Sequence, residues 1–505
     1  MNPVVVRLDH TVGSNKRYWQ AAGSDLLFSE IEMESGQFLL DRMGEHRSCR
    51  FLRNHYVLSD QFYCERMVGG TKYREDENGN PAPDFSRILA VYKEMVKRGI
   101  KPIVEYDFMP EPLKKKGEGR GDWDSGPADW DKWRIVMQQF TQALVDTFGV
   151  EELRTWRFEV WNEPDGFPLE EREIFYRMYD EFAAVIKAAD DQLLIGGPGC
   201  WHFEFLEGFL QHVTSGKNHV TGGVGAPIDF VSYHSYATVS GMQSLAPFMR
   251  PHADKILSDA WYVRQIMERY QLLHVPFQMN EWGLCAHFAQ NVEAYPALHY
   301  RNSEYAASFL ARLVDGFDHM QDELNFCPEI LLFWGFSWED GENVMFRGNR
   351  ELTTGYHVVK PIMTAYEMLA KLEAQRVLVE GRNDPLGVLA TRSSKRLTMV
   401  VYALNESDEQ DQTVRTVSLQ LQGLPVAEDR LSLHVTRLDA EHHNTFRLWQ
   451  QMGCPEHPDA EQIRLLHAAG ELSVDEEIVC EVTQHQGCFE LPITGNSVCL
   501  IEADI

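Results

Sequence analysis

Trp156-Arg157-Phe158-Glu159-Val160-Trp161-Asn162-Glu163-Pro164-Asp165 is a short run of alternating apolar residues that stops at an Asn-Glu-Pro turn. Behind it, residues 172–189 carry apolar side chains at helical spacing. A run of that length closed by a turn reads as a strand, and the periodic stretch behind it reads as its helix. The same unit recurs on both sides. Residues 49–53 lead into Asn54-His55, 101–106 into Asp107-Phe108-Met109-Pro110, and 193–195 into Gly196-Gly197-Pro198. Residues 228–233 lead into His234-Ser235-Tyr236, 277–279 into Asn280-Glu281-Trp282, and 330–333 into Trp334-Gly335. With one more strand expected at 26–29, the strands number the eight that close a (β/α)8 barrel. Helical periodicity at 84–97, through Ile88, Leu89, Tyr92 and Val96, and at 130–148 supports the alternation.

After a last helix at 361–372 the texture changes to two-residue alternation, at 377–379, 397–403, 414–421 and 431–435. The fold class expected is therefore α/β: a TIM barrel over 21–372 with an accessory antiparallel β-sandwich over 373–505, joined by an N-terminal strand within residues 1–20.

Composition narrows the partners. The 505 residues hold 47 Lys and Arg against 76 Asp and Glu, and the resulting net charge of −29 opposes nucleic acid and anionic lipid. No apolar stretch approaches the roughly 18–20 residues of a spanning helix, and the N-terminus lacks the basic region and long apolar region of a secretory signal. A cytoplasmic protein is expected. The nine cysteines form no CxxC pair, so free thiols are expected, with no metal and no cofactor. A homo-oligomer is left open.

The candidate reactive groups fall at the carboxyl ends of these strands, the face on which barrels of this kind carry active sites. Glu163 and Glu281 each follow an Asn at a strand end. Two carboxylates delivered by two strands suit glycoside hydrolysis, one as acid on the leaving oxygen and the other at the anomeric carbon. Asn162 beside the first can bond a sugar 2-hydroxyl, a contact that strengthens in the transition state. The basic, glycine-rich run at 114–121 lacks a P-loop ending and reads as a loop beside the site, with Trp123 and Trp130 as candidate walls of a leaving-group subsite. His442-His443 on a strand would point to opposite faces and share no metal. The carboxylates of Glu105 and Asp107 complete no metal constellation in the sequence.

The stretch from Trp156 to Pro164, with Asn280-Glu281-Trp282 downstream, resembles the acid/base and nucleophile motifs of glycoside hydrolase family 39, the β-xylosidase and α-L-iduronidase family. Phe51-Leu52-Arg53-Asn54-His55 is similar to that family's second strand, Val104-Glu105-Tyr106-Asp107-Phe108-Met109-Pro110 to its third, and Tyr233-His234-Ser235-Tyr236 to its sixth. The run from Arg437 to Trp449 resembles part of the accessory sheet of the bacterial β-xylosidases. The resemblance implies a retaining mechanism with Glu163 as general acid/base and Glu281 as nucleophile. It implies further that His55, Asn162 and His234 hold sugar hydroxyls, that Tyr236 lies near the nucleophile, and that Trp334 floors the subsite of the cleaved sugar.

The chain departs from the family pattern after its eighth strand. Where the β-xylosidases carry an Asp ahead of two adjacent Glu residues that bind xylose, this sequence has Trp338 for the Asp and Gly341 for one Glu, and only Glu342 matches. The segment 283–288 lacks a counterpart of the family's sugar-contacting Tyr. An exo-acting β-D-xylosidase acting on xylo-oligosaccharides is expected. The alternatives are the same mechanism on another sugar (α-L-arabinofuranoside, β-galactoside or uronide) and a non-catalytic carbohydrate-binding protein. A uronidase needs a basic group at the sugar carboxylate, and none is nominated from the sequence.

Overall fold

The computed structural model describes residues 3–63, 66–67, 69–115, 125–167, 171–238, 250–286, 291–337, 344–381, 385–425 and 429–505. Trp123, Trp338, Gly341, Glu342 and most of the 114–121 run lie outside them.

Eight parallel strands close a barrel: Ala21–Ser24, Phe51–Asn54, Lys101–Tyr106, Arg157–Val160, Ile195–Cys200, Phe230–Tyr236, Phe277–Gly283 and Ile330–Trp334. Each pairs with the next, and the eighth returns to the first through Leu332 opposite Ala21. The helices Ser86–Lys97, Trp130–Phe148 and Arg172–Ala189 bury their apolar stripes against the outside of the barrel, as in Ile88, Val91, Tyr92 and Met95 of the first. The second of these starts where the Asp129 carboxylate accepts the backbone N–H groups of Asp131 and Lys132, an N-cap.

Two strands differ from their sequence-based expectation. The first is Ala21–Ser24, not 26–29, and Leu27–Glu32 is a helix. The reason is steric: a Cβ on Gly23 would lie 2.5 Å from the Trp334 ring, so the strand beside that indole is built from small residues without strand propensity. The fifth strand, Ile195–Cys200, runs through the glycines expected to turn the chain. Gly196 has no room for a side chain, since a Cβ there would stand 2.2 Å from the Phe230 carbonyl oxygen.

The accessory domain has nine strands, antiparallel except where Val4–Ser14 runs parallel to Arg415–Gln422. Their pairing runs unbroken round all nine and closes a barrel, which two narrow corners divide into two layers. One holds Gln375–Glu380, Val4–Ser14, Arg415–Gln422 and Gln486–Ile493; the other holds Leu386–Arg392, Arg396–Ala403, Ser497–Asp504, Arg430–Leu438 and Glu476–Thr483. Only Gln375 and Arg376 at one corner, and Val482 and Thr483 at the other, carry the pairing from layer to layer. Val6, Leu8, Val401, Leu419, Leu433, Leu491 and Ile501 fill the space between. His442 and His443 fall in the turn after Arg430–Leu438 rather than on a strand, because Asp439 accepts the N–H groups of Glu441 and His442 and curls the chain. His442 faces Asp439, and His443 bonds the Arg437 carbonyl and Ser473.

The short helix Thr445–Gln451 fixes this domain to the barrel. Glu304, fully buried at the start of barrel helix Glu304–Leu324, accepts hydrogen bonds from Arg447 at 2.6 Å and from Asn444 at 2.9 Å. No helix among the described residues is long and apolar enough to cross a membrane.

Candidate active site

The carboxyl ends of the strands converge on Glu163 and Glu281. A carboxylate oxygen of each and a ring nitrogen of His234 all lie within 4.8 Å of one another. His234 stands between them, with Nδ1 3.0 Å from Oε1 of Glu163 and 3.6 Å from Oε2 of Glu281.

Local irregularities in the backbone aim both Asn-Glu pairs. On a regular strand consecutive side chains point to opposite faces. At the seventh strand the register against its neighbour slips between Met279 and Glu281, so Asn280 is an extra residue, a bulge. Asn280 and Glu281 then both reach interior partners: the Asn280 amide donates to both oxygens of Glu159, and Glu281 accepts from Arg53. Beyond the fourth strand, Trp161 and Glu163 take left-handed conformations, φ 69° and 44°. These turns bring Asn162 to Arg53 and Glu163 to His234. The Glu163 backbone N–H bonds the carbonyl of Gly199 at 2.9 Å.

Beneath the pair lies a buried ionic network. Arg53, with no exposed surface, contacts Glu105 at 2.5 Å, Glu159 at 3.1 Å, Glu281 at 2.9 Å and the Asn162 side-chain oxygen at 2.9 Å. His55, two residues on and so on the same face, places Nδ1 2.8 Å from Glu105 and Nε2 3.5 Å from Glu281. Burial pulls the His55 pKa down, but Glu105 and the contact with Glu281 hold it well above the ordinary value. Asp107 accepts the N–H groups of Tyr56 and Val57, and burial pushes its pKa well above the carboxylate range.

The two catalytic candidates are driven apart by these surroundings. Burial raises the Glu163 pKa and outweighs His234, with the charges of Glu281 and Asp165 adding to the rise. Burial also acts to raise Glu281, but His234, His55 and Arg53 together hold it well below the usual range. One carboxyl favours its proton and the other its charge, the division of labour an acid and a nucleophile need. The Glu163 side chain is 20% exposed and that of Glu281 4%, so the acid faces the opening.

The other residues singled out from the sequence surround this pair. The Tyr236 hydroxyl donates to Oε2 of Glu281 at 2.9 Å. The Asn162 side-chain nitrogen and Nε2 of His234 are buried with no partner among the described atoms. Trp334 packs on His55, ring centroids 4.6 Å apart, and under the Arg53 guanidinium. Glu342 lies outside the described residues. Arg53, Glu105 and Glu159 join the site beyond the residues expected from the sequence; the available signal was charge inside otherwise apolar strands. Asp25 and Arg350 were likewise not expected: Arg350 donates to the Tyr236 hydroxyl at 3.0 Å and to Asp25 at 3.2 Å.

Two triads, His55 with Glu105 and Asp107, and Glu163 with His234 and Glu281, have the spacing of cation ligands. In the first, Arg53 and His55 engage Glu105 and backbone amides engage Asp107; in the second, Arg53 and Tyr236 engage Glu281, and Glu163 meets His234.

The chain is 23% identical to a β-xylosidase of Caldicellulosiruptor saccharolyticus over 98% of its own length and 97% of that protein's. It is 24% identical to the human α-L-iduronidase over 67% of its length and 55% of the relative's. The crystal structure of a monomeric β-xylosidase from Caulobacter crescentus CB15 superposes with a TM-score of 0.81 over 99% of both chains, at 24% identity. The family model of glycosyl hydrolases family 39 matches residues 4–481, which takes in the barrel, both Asn-Glu pairs and most of the accessory sheet. The chain belongs to glycosyl hydrolases family 39.

Proposed function

We propose that this glycoside hydrolase is a retaining, exo-acting β-D-xylosidase that releases xylose from the non-reducing end of xylo-oligosaccharides. The observation that carries the reading is the approach of the Glu163 and Glu281 oxygens within 4.8 Å. Retaining enzymes hold their carboxyl groups about 5–5.5 Å apart, whereas inverting ones leave about 6.5–9.5 Å for a water. In the first step Glu281 attacks the anomeric carbon while Glu163 gives its proton to the leaving oxygen, and the bond to that oxygen breaks. In the second, Glu163 takes a proton from water, which displaces Glu281 and leaves the anomeric configuration as it was. The unpartnered side-chain nitrogen of Asn162 is available to donate to the sugar 2-hydroxyl, while its oxygen is held by Arg53. Tyr236 and Arg53 position the nucleophile, and Trp334 offers an apolar ring face near His55.

Xylose as the sugar rests on the β-xylosidases among the relatives; the iduronidases make a sugar acid the rival. The test is a panel of aryl β-D-xyloside, α-L-arabinofuranoside, β-D-galactoside and α-L-iduronide, with proton NMR of the first-formed sugar. Fastest turnover of the xyloside with β-xylose released first, and none by Glu281→Ala, is expected. An α-anomer released first would overturn retention, and a faster uronide would overturn the sugar.

A further inference from the structure

The segment 344–350, after the eighth strand, is held from outside itself. The carbonyls of four consecutive residues each accept a donor from another part of the chain. Asn302 donates its amide to Phe346 at 2.7 Å, the Val292 N–H reaches Arg347 at 2.8 Å, Nη1 of Arg301 reaches Gly348 at 3.1 Å, and Nζ of Lys360 reaches Asn349 at 3.0 Å. Arg301 gives its Nη2 to the carbonyl of Cys285 at 2.5 Å, just beyond the strand that carries Glu281. One guanidinium thus joins the chain after the seventh strand to the chain after the eighth. The segment ends at Arg350, which donates to the Tyr236 hydroxyl, and that hydroxyl donates to the nucleophile.

The near end of this segment rests on the accessory domain. Phe346 is fully buried and has φ 47°, a left-handed conformation that a bulky residue keeps only where its surroundings fix it. Two rings of the helix Thr445–Gln451 do so. Phe446 meets Phe346 edge-on with centroids 5.2 Å apart, and Trp449 lies tilted against it at 5.1 Å, both within the range of favourable aromatic pairs. Phe446 also packs on His299, in the turn that leads to Arg301. Met345, Phe346, Phe446 and Leu466 belong to an apolar cluster separate from the barrel core and from the core between the sheet layers. From Phe446 to Glu281 the path is one ring contact, the chain from Phe346 to Arg350, and two hydrogen bonds.

We propose that Phe446 and Trp449 are positioning residues for the reaction: the accessory domain, by packing these rings on Phe346, fixes the segment 344–350 and through it the orientation of Tyr236 and Glu281. This rests on the hydrolase reading and not on the identity of the sugar. The neighbouring contact of Arg447 with Glu304 holds the same helix to the barrel by charge, so docking and positioning are separable by substitution.

The experiment measures kcat and KM on aryl β-D-xyloside for wild type, Phe446→Ala, Trp449→Ala, Phe446→Leu and Arg447→Met. Unfolding midpoints and hydrogen exchange across residues 344–355 accompany the kinetics. For Phe446→Ala and Trp449→Ala, kcat is expected to fall about 10-fold, within the roughly 100-fold that a 1 Å misplacement of reacting groups can cost, with KM changed less. Exchange of the Phe346 N–H, which Oγ1 of Thr354 accepts at 2.6 Å, is expected to quicken in the same variants. Phe446→Leu keeps most of the volume and recovers most of the loss in kcat. Arg447→Met lowers the midpoint and leaves kcat at the wild-type value. Wild-type kcat in both alanine variants overturns the proposal, and so does a kcat that follows the midpoint through every variant, which would make the helix a matter of stability alone. If the wild type turns over no xyloside, the sugar reading fails and the exchange decides: quickened exchange in the alanine variants supports the positioning role, and unchanged exchange overturns it. If Phe446→Ala does not fold, Trp449→Ala decides on the same readings.

Discussion

At the scale of single residues, the chemistry depends on keeping two nearby carboxyl groups in different protonation states, and His234 touches both. Its contact lowers the pKa of Glu163 against the rise caused by burial, and it is the foremost group holding down that of Glu281. Replacing His234 with Ala removes both effects in the same direction. Glu281 then takes its proton at higher pH, which moves the acid limb of kcat/KM upward. Glu163 keeps its proton to higher pH, which moves the alkaline limb upward too. A displacement of both limbs to higher pH is expected. A profile measured with aryl xyloside in which only the alkaline limb moved would show that His234 does not act on the nucleophile. Glu163 and Glu281 were legible in the sequence because each ends an apolar run at an Asn-Glu pair. Arg53 was not, because its role exists only once three other strands bring Glu105, Glu159, Glu281 and Asn162 around it.

At the scale of the element, regular strands supply the barrel and irregular ones supply the site. The strands at 101–106, 277–283 and 330–334 were readable from apolar runs, as were the helices Trp130–Phe148 and Arg172–Ala189. The first and fifth strands were displaced from expectation because their composition answers to close packing against Trp334 and Phe230, which no local pattern reports. The bulge at Asn280 and the left-handed residues at 161 and 163 are equally silent in the sequence. Gly199 shows what such a position demands. Its φ is +60°, its carbonyl holds the backbone of Glu163, and a Cβ there would lie 3.2 Å from Nη2 of Arg53 and 3.3 Å from Nδ2 of Asn280. Gly199→Ala therefore combines left-handed strain of about 1–2 kcal/mol with pressure on the network that orients both Asn-Glu pairs. A kcat/KM loss of about 100-fold is expected, of the size that results from misplacing reacting groups by about 1 Å. Steady-state kinetics beside a denaturation curve checks it; a loss in stability without a loss in kcat/KM would mean that the network yields without moving the carboxylates.

At the scale of the whole molecule, the accessory sheet has its own core between its two layers, and its grip on the barrel concentrates where the stretch resembling the bacterial β-xylosidases ends. Asn444 caps the helix Thr445–Gln451 by accepting the Arg447 N–H and donates its amide to Glu304. Arg447 meets the same carboxylate through Nη2 at 2.6 Å and Nε at 3.1 Å, Gln412 adds a third donor, and Thr445 bonds the carbonyl of Val359. A carboxylate with no exposed surface is tolerable only while these donors surround it. Removing the arginine leaves the charge in place and most of its compensation gone, so Arg447→Met costs more than the pair itself contributes. About 2 kcal/mol of unfolding free energy is expected to be lost, below the roughly 3–5 kcal/mol of a wholly buried pair because Arg447 is itself 21% exposed. Adding Glu304→Gln to that variant removes the stranded charge and restores part of the loss. Neither residue touches the site around Glu163 and Glu281, so kcat/KM at moderate temperature stays at the wild-type value while the unfolding midpoint falls. Chemical denaturation of the two single variants and the double variant, read beside their kinetics, tests this directly: a double variant no more stable than Arg447→Met would mean that the clamp works by shape and not by charge.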